Sequence, residues 1–254
     1  MINLYHHLNW DDYYDKQAQR NYIIREKNPQ INYENMSIYI FQSVFVEIID
    51  SAINISSVNI EVKLLLEDSI LYSCSNKKNG GTLSFSSEGE CIQKKICNFR
   101  SKLSEEVSLG VCSFIEVSET SRNFILESSF AENGDGKGIG TLYCKKGELK
   151  FNSINISNSF NYYYGISRFD NQSKNSVIET STFYNNTQKD IGYSVIFISN
   201  LGNINYNFER CNLIKNSGNF IIWEEGNSDV IANGCSFQCN TQTAGKYLGL
   251  CNYK

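Results

Sequence analysis

Apolar residues along this chain alternate with polar ones in short bursts, the period of a β-strand, and lack the three-then-four rhythm of a helix over nearly the whole length. In the C-terminal half the bursts share a register: Phe130-x-x-Asn133, Phe183-x-x-Asn186, Leu213-x-x-Asn216 and Phe237-x-x-Asn240. Two residues before each anchor stands a small side chain, Ser128, Ser181, Cys211 or Cys235. Ile154 and Ile156 occupy the same two places, with Ser159 where the Asn stands elsewhere. Upstream, Cys97 with Phe99, Ser69 with Leu71 and Ser43 with Phe45 extend the pattern. The anchors 45, 71, 99, 130, 156, 183, 213 and 237 are separated by 26, 28, 31, 26, 27, 30 and 24 residues, a loose period of about 27 that marks stacked supersecondary units.

Each unit carries a second strand signal opened by glycine: Gly81 to Phe85, Gly110 to Phe114, Gly140 to Cys144, Gly165 to Phe169, Gly192 to Ile198 and Gly218 to Trp223. A third apolar stretch precedes the next anchor, as at Arg122 to Leu126, Leu149 to Phe151, Ser176 to Ile178 and Asn205 to Phe208. Three strands per period predict an all-β fold, a right-handed parallel β-helix of about eight coils with three short strands each, stacked over about 34 Å. In that geometry the small residue and the anchor point inward together. The Asn falls at a bend, where its tolerance of left-handed backbone suits it, and Asn residues of consecutive coils form an amide ladder. A leucine-rich repeat of similar period is the rival. Its first Leu position is Ser or Cys here, and the intervening segments are β-branched with Gly. Residues 1–35 lack the anchor pattern, and Asp11 to Arg25 has helix-like composition, so an N-terminal arm or cap is expected before a β-helix domain over 36–254.

Composition sharpens this picture. With 32 Asn, 31 Ser, 29 Ile and 1 Pro the chain favours strands and turns. A net charge of -4 argues against a nucleic-acid partner. No apolar run is long enough to cross a bilayer, and no secretory signal precedes Asp12. Five sequons, at Asn35, Asn54, Asn155, Asn171 and Asn185, match the number of about five that composition produces by chance. The nine cysteines form no Cys-x-x-Cys pair, which argues against a zinc site. Cys97, Cys211 and Cys235 are expected to be buried at the small position as free thiols, since stacked side chains point the same way.

The run Gly80 to Cys97 (GGTLSFSSEGECIQKKIC) and the opening His7 to Ile24 (HLNWDDYYDKQAQRNYII) resemble a large trichomonad family of right-handed β-helix proteins. The resemblance implies the pectate-lyase-like superfamily fold and a cell-surface or secreted role, and it carries over no activity. Longer members of that family are expected to end in a membrane anchor and a short tail, where this chain ends at Lys254.

Catalytic chemistry has few candidates. The only two histidines, His6 and His7, and the only adjacent Asp pair, Asp11 and Asp12, precede the first coil. The His6–His7 pair with these aspartates reads as a solvated segment and not as a metal site. Arg168 and Asp170 share one strand face and read as an exposed ion pair. Asn133 to Gly140 (NGDGKGIG) lacks the Gly-Lys-Ser/Thr of a phosphate loop and reads as a turn between coils. No cofactor is implied. Tyr162, Tyr163 and Tyr164, in a loop before Gly165, are the candidate contacts for a protein or glycan ligand. The expected function is a non-enzymatic surface or extracellular solenoid presenting loops for adhesion or recognition. A carbohydrate-active enzyme, lyase or hydrolase, is the alternative. After the last anchor unit, Gly245 to Lys254 supply one further strand and no polar cap, so self-association through an uncapped C-terminal coil is expected.

Overall fold

The computed structural model describes residues 10–14, 22–24, 31–34, 36–105, 107–188, 194–202, 204–226 and 228–242. They form a parallel β-solenoid of about seven turns with three main sheets, every strand pairing being parallel. The first sheet has nine strands, from Tyr22–Ile24 to Asp229–Asn233. The anchor sheet has eight, from Val44–Val46 to Ser236–Gln238. The third sheet has eight, from Ile31–Glu34 to Phe220–Gly226. Short strands such as Phe160–Asn161 and Thr187–Gln188 form a minor four-stranded sheet beside them.

The bends that join the first sheet to the anchor sheet are set by backbone conformation. Gln42, Asp68, Lys95, Glu127, Ser153, Thr180, Arg210 and Gly234 all have φ between 47° and 62°. Five residues after each, Glu47, Ser73, Arg100, Glu132, Asn158, Asn185, Lys215 and Cys239 fall in the same range. Left-handed backbone costs a non-glycine residue about 1–2 kcal/mol. Here the bend amides stay hydrogen-bonded to the next coil, as in Asp68 N–H to Lys94 O at 3.1 Å and Glu127 N–H to Asn152 O at 2.9 Å. Stacking therefore continues through the corner and holds the strained residue in place. Between the two bends the chain is always one inward residue (Ser, Cys or Ile), one outward residue, one inward residue at the anchor position and one more outward residue.

The small residue satisfies the first corner. Ser69 Oγ donates to Glu67 O at 2.7 Å and accepts Ser43 N–H at 3.1 Å, and Ser181 does the same for Glu179 O and Ile154 N–H. The Asn after the second bend satisfies the other. Asn186 Nδ2 donates to Ile156 O and to Asn216 Oδ1, and Asn216 Nδ2 donates to Phe183 O and to Asn240 Oδ1, all between 2.8 and 3.1 Å. Asn133, Asn186 and Asn216 are fully buried, so the expected amide ladder exists. The left-handed residue, however, is the one before each ladder Asn and not the Asn itself.

The third coil departs from the sequence pattern by one residue. Asn98, not Phe99, lies opposite Leu71 and Phe130, and Ile96 takes the small position expected for Cys97. Cys97 is exposed, and Phe99 points outward, stacked on Tyr72 at 5.8 Å. The physical reason lies at the ladder position. The structure puts Ser101 beneath Asn133, whose Oδ1 accepts Ser101 N–H at 2.8 Å, whereas an anchor at Phe99 brings Lys102 there and buries an unpaired charge. Cys211 is buried as expected, Cys235 is half-buried, and neither forms a disulfide.

Glycines mark the entry to the third sheet. Gly80 has φ 71°, and a Cβ there falls 2.2 Å from Leu83 O, so only glycine fits. Gly192 lies outside the described residues. Near the N-terminus, the short helix Trp10–Tyr13 packs on the outer face of the first sheet. Trp10 and Tyr14 are buried there with Tyr39, Leu65 and Ile92, and Tyr14 Oη donates to Leu64 O at 2.8 Å. Tyr22–Ile24, expected within a helix-like stretch, is a strand paired in register with Ile38–Ile40, because stacking on an existing sheet outweighs weak local helix preference. His6, His7 and the expected C-terminal edge at Gly245 to Lys254 lie outside the described residues.

Two outcomes are expected. Phe183 is fully buried and stacks on Phe151 at 6.0 Å, so Phe183→Ala costs about 3–5 kcal/mol. Phe45→Ala, on the terminal strand of the anchor sheet, costs less, and urea midpoints of the two variants measure the difference. The second outcome concerns alkaline pH. Burial pushes the thiols of Cys74, Cys91, Cys112 and Cys144 above their ordinary value near 9.0. The folded state then holds more protons than the unfolded chain above that pH. Stability is complete below about pH 9 and falls as pH rises, by about 1.4 kcal/mol per thiol per pH unit. Thermal unfolding under reducing conditions at about pH 7.5 and about pH 10 reads this as a lower midpoint in the alkaline sample.

Candidate functional site

Inward residues of the third sheet fill the core, so the residues between them form two outward columns. The first runs Asn54, Ser84, Phe114, Tyr143, Arg168, Phe197, Trp223, and the second runs Ser56, Ser86, Glu116, Lys145, Asp170, Ser199, Glu225. The two halves of this face differ sharply in chemistry. The N-terminal half is a floor of short hydroxyl and amide side chains, and the C-terminal half is a wall of aromatic and charged ones.

In the wall, Phe114 meets the Tyr143 ring edge-on at 5.4 Å. The Arg168 guanidinium lies 4.9 Å from the ring of Tyr143, 4.6 Å from Tyr164 and 5.0 Å from Phe197. It also grips Asp170 through two nitrogens at 2.8 and 3.0 Å, while Tyr143 Oη donates to the same carboxylate. Burial works against the charge on Arg168, and the hydrogen bond and charge of Asp170 more than offset it, holding the guanidinium above its ordinary pKa. Burial and the adjacent Asp170 carboxylate push the Tyr143 phenol well above its usual range. Arg168 and Asp170 do share one strand face, but the expected exposed pair is in fact largely covered, because Tyr143, Tyr164 and Phe197 close over it. The Glu116 carboxylate of this face is likewise held by a cation, pairing with Lys145 at 2.8 Å.

Tyr162, Tyr163 and Tyr164 lie between strands Phe160–Asn161 and Ser167–Asp170, and all three are half-buried. Tyr162 and Tyr163 meet edge-on at 4.0 Å, and Tyr164 turns back onto Phe197 at 5.1 Å. The loop thus adjoins the wall. Asn133 to Gly140 is a turn in which Gly134, Gly136, Gly138 and Gly140 have positive φ, and Gly136 is packed against the Phe160 ring.

Beyond the wall, the floor opens into a groove of about 920 Å³. Asn54, Ser84, Ser86, Phe114 and Glu116 line its base. Asp50, Lys77, Lys78, Glu105 and Val107 stand on its rims. A second depression of about 480 Å³ continues it past Ser86 and Glu116 toward Ser56 and Val58. Sequence reasoning missed these residues. Their signal was the alternation itself, since an inward Leu83 and Phe85 leave Ser84 and Ser86 outward. Phe114 was hidden because Gly110 to Phe114 mimics Gly81 to Phe85, whereas the register sets Ile115 opposite Phe85 and turns Phe114 out.

Among the described residues no group of three or more His, Cys, Asp or Glu side chains is placed to hold a metal ion, and no helix is long and apolar enough to cross a membrane. No family model, curated protein or solved structure matches the chain. The geometry of the face therefore carries the functional argument unaided.

The Arg168–Asp170 pair is a structural keystone of this face. Arg168→Ala leaves a covered carboxylate without its cation and is expected to cost about 3 kcal/mol. Tyr143→Phe removes one hydrogen bond to that carboxylate and costs about 2 kcal/mol. Urea midpoints in that order check the arrangement.

Proposed function

We propose that this chain is a non-catalytic recognition module whose third-sheet groove binds an extended hydroxyl-rich ligand, an oligosaccharide, outside the cell or at its surface. The observation that carries the reading is the floor of Asn54, Ser84 and Ser86, repeated from coil to coil and ending on Phe114. Short hydroxyls and amides leave room for a chain to lie along them and offer both donors and acceptors. Such a floor gains little from an apolar ligand, and the small exposed part of Phe114 adds an apolar spot against which the C–H groups of a sugar can pack. The rims mix Lys77 and Lys78 with Asp50 and Glu105, which gives no strong preference for a polyanion.

The half-buried tyrosines at 162, 163 and 164 flank the wall and extend the contact surface in this reading. The resemblance of Gly80 to Cys97 and His7 to Ile24 to trichomonad β-helix proteins agrees with an extracellular setting. It also agrees with right-handed winding, the hand of about 98% of parallel crossovers.

Titration of the whole chain against a panel of neutral and acidic oligosaccharides tests the proposal. The expected result is saturable binding without product release, weakened at least about tenfold by Ser84→Tyr, which fills the floor and leaves the core untouched. Absence of binding, or binding indifferent to Ser84→Tyr, overturns it. Release of shortened or unsaturated sugars replaces it with the carbohydrate-active alternative, for which Glu116 is the carboxylate to mutate.

A further inference from the structure

One coil of the solenoid is filled differently from its neighbours. At one inward position on each of its three sheets, beside the apolar Cys91, Ile96 and Ile115, Gln93 lies between Leu66 and Ile125, Asn98 between Leu71 and Phe130, and Ser113 between Leu83 and Leu142. All three polar residues are only 1% exposed. A polar layer thus interrupts a core that is apolar above and below it at each of the three sheets.

The layer is only partly satisfied from within. Ser113 Oγ donates to Gln93 Oε1 at 3.2 Å. Asn98 Nδ2 donates at 2.7 Å to Thr82 Oγ1, whose own hydroxyl donates to Cys112 O at 2.6 Å, so the orientation of the Asn98 amide is set. Asn98 Oδ1, Gln93 Nε2 and Ser101 Oγ meet no partner, although each is shut away from the surface. Whichever way round the Gln93 amide sits, one end of it is left over. In the next coil Asn123, opposite Cys91, has neither amide atom paired to oxygen or nitrogen and stands beside the weakly accepting Cys144 thiol. Five of the ten unpaired buried side-chain atoms among the described residues fall in these two coils.

Buried amides without partners are rare because the loss of their hydrogen bonds to solvent is not repaid. The unpaired set here contains both donors and acceptors. An anion is repelled by Asn98 Oδ1, and a cation by the Gln93 N–H as the amide is placed, whereas water can donate or accept and so meets either orientation of that amide. A small neutral molecule that donates and accepts at once serves both. We propose that the coil from Glu90 to Glu116 encloses a built-in water site, in which ordered water bridges the Gln93 amide, Asn98 Oδ1 and Ser101 Oγ inside the core. The strand Ser113–Glu116 turns Ser113 toward this site and Phe114 and Glu116 toward the groove, so the hydrated coil lies directly behind the groove.

The test uses the whole chain. A crystal structure is expected to show water within about 3.2 Å of both the Gln93 amide and Asn98 Oδ1. In solution, the Asn98 side-chain amide protons are expected to give cross-relaxation peaks with long-lived water, and Asn98→Leu removes that water from the crystal. A dry core in which the amides pair directly overturns the proposal, as does the absence of water cross-peaks in the wild-type protein. Maleimide labelling of the folded wild-type chain adds a readout that needs no variant. Cys97 reacts promptly if Asn98 faces inward, and protection of Cys97 until unfolding puts Phe99 in the core and eliminates the site.

Discussion

The structure depends on hydrogen-bonded stacking that does not stop at the corners. A strand pair gains its bonds over two to seven residues, which is little by itself. What makes the solenoid cohere is that the bend residues keep donating to the coil above, so one continuous ladder runs through strand, bend and strand. The cost is a left-handed backbone at residues as unsuited to it as Glu127, Lys95 and Arg210. Those side chains are long and charged, and the bend turns them to solvent. The geometry of the corner is thus imposed by the neighbouring coils and not by local preference.

Once the corners are fixed five residues apart, the interior follows. Two inward positions per anchor strand must be filled by something that matches the coil above and the coil below. Ser, Cys or Ile serves at the first, and Phe, Leu or Ile at the second. The ladder Asn then closes the second corner with its amide, donating to a carbonyl of the coil below and to the Asn of the coil above. Such a chain of amides in a water-poor interior is strong only when complete, which explains why Asn186, Asn216 and Asn240 come as a run. The third coil shows how rigid the scheme is. With Cys97-Asn98-Phe99 to choose from, the stack took the amide inside and left the ring outside, because the alternative buried Lys102.

The outer faces answer to a different constraint. On the first sheet the N-terminal helix covers an aromatic patch around Tyr39. On the third sheet Tyr143, Arg168, Asp170 and Phe197 cover one another, and only the coils before Phe114 remain an open trough. The site is thus defined as much by where the wall stops as by the residues of the floor. Arg168 and Asp170, and Lys145 and Glu116, are spent on each other, which leaves hydroxyls, amides and mixed rim charges to meet a ligand in the trough.

The period of about 27 residues, the parallel stack, seven of the eight anchors and the amide ladder were legible in the sequence, because inward positions obey a burial rule that each residue carries in its own side chain. Ile and Phe at alternate places announce a core wherever they stand. Three things were not legible. Apart from Asn158, Asn185 and Gly234, the left-handed bends bear no glycine or asparagine signature, since the strain is held by bonds to residues roughly one period away. The register of the third coil turned on Lys102 and Asn133, which local alternation does not connect. The groove and the covered Arg168–Asp170 pair exist only because residues about 27 apart become neighbours when coils stack. Outward residues such as Ser84 and Phe114 have no burial rule to betray them. Their neighbourhood, and with it the candidate site, was decided by tertiary structure alone.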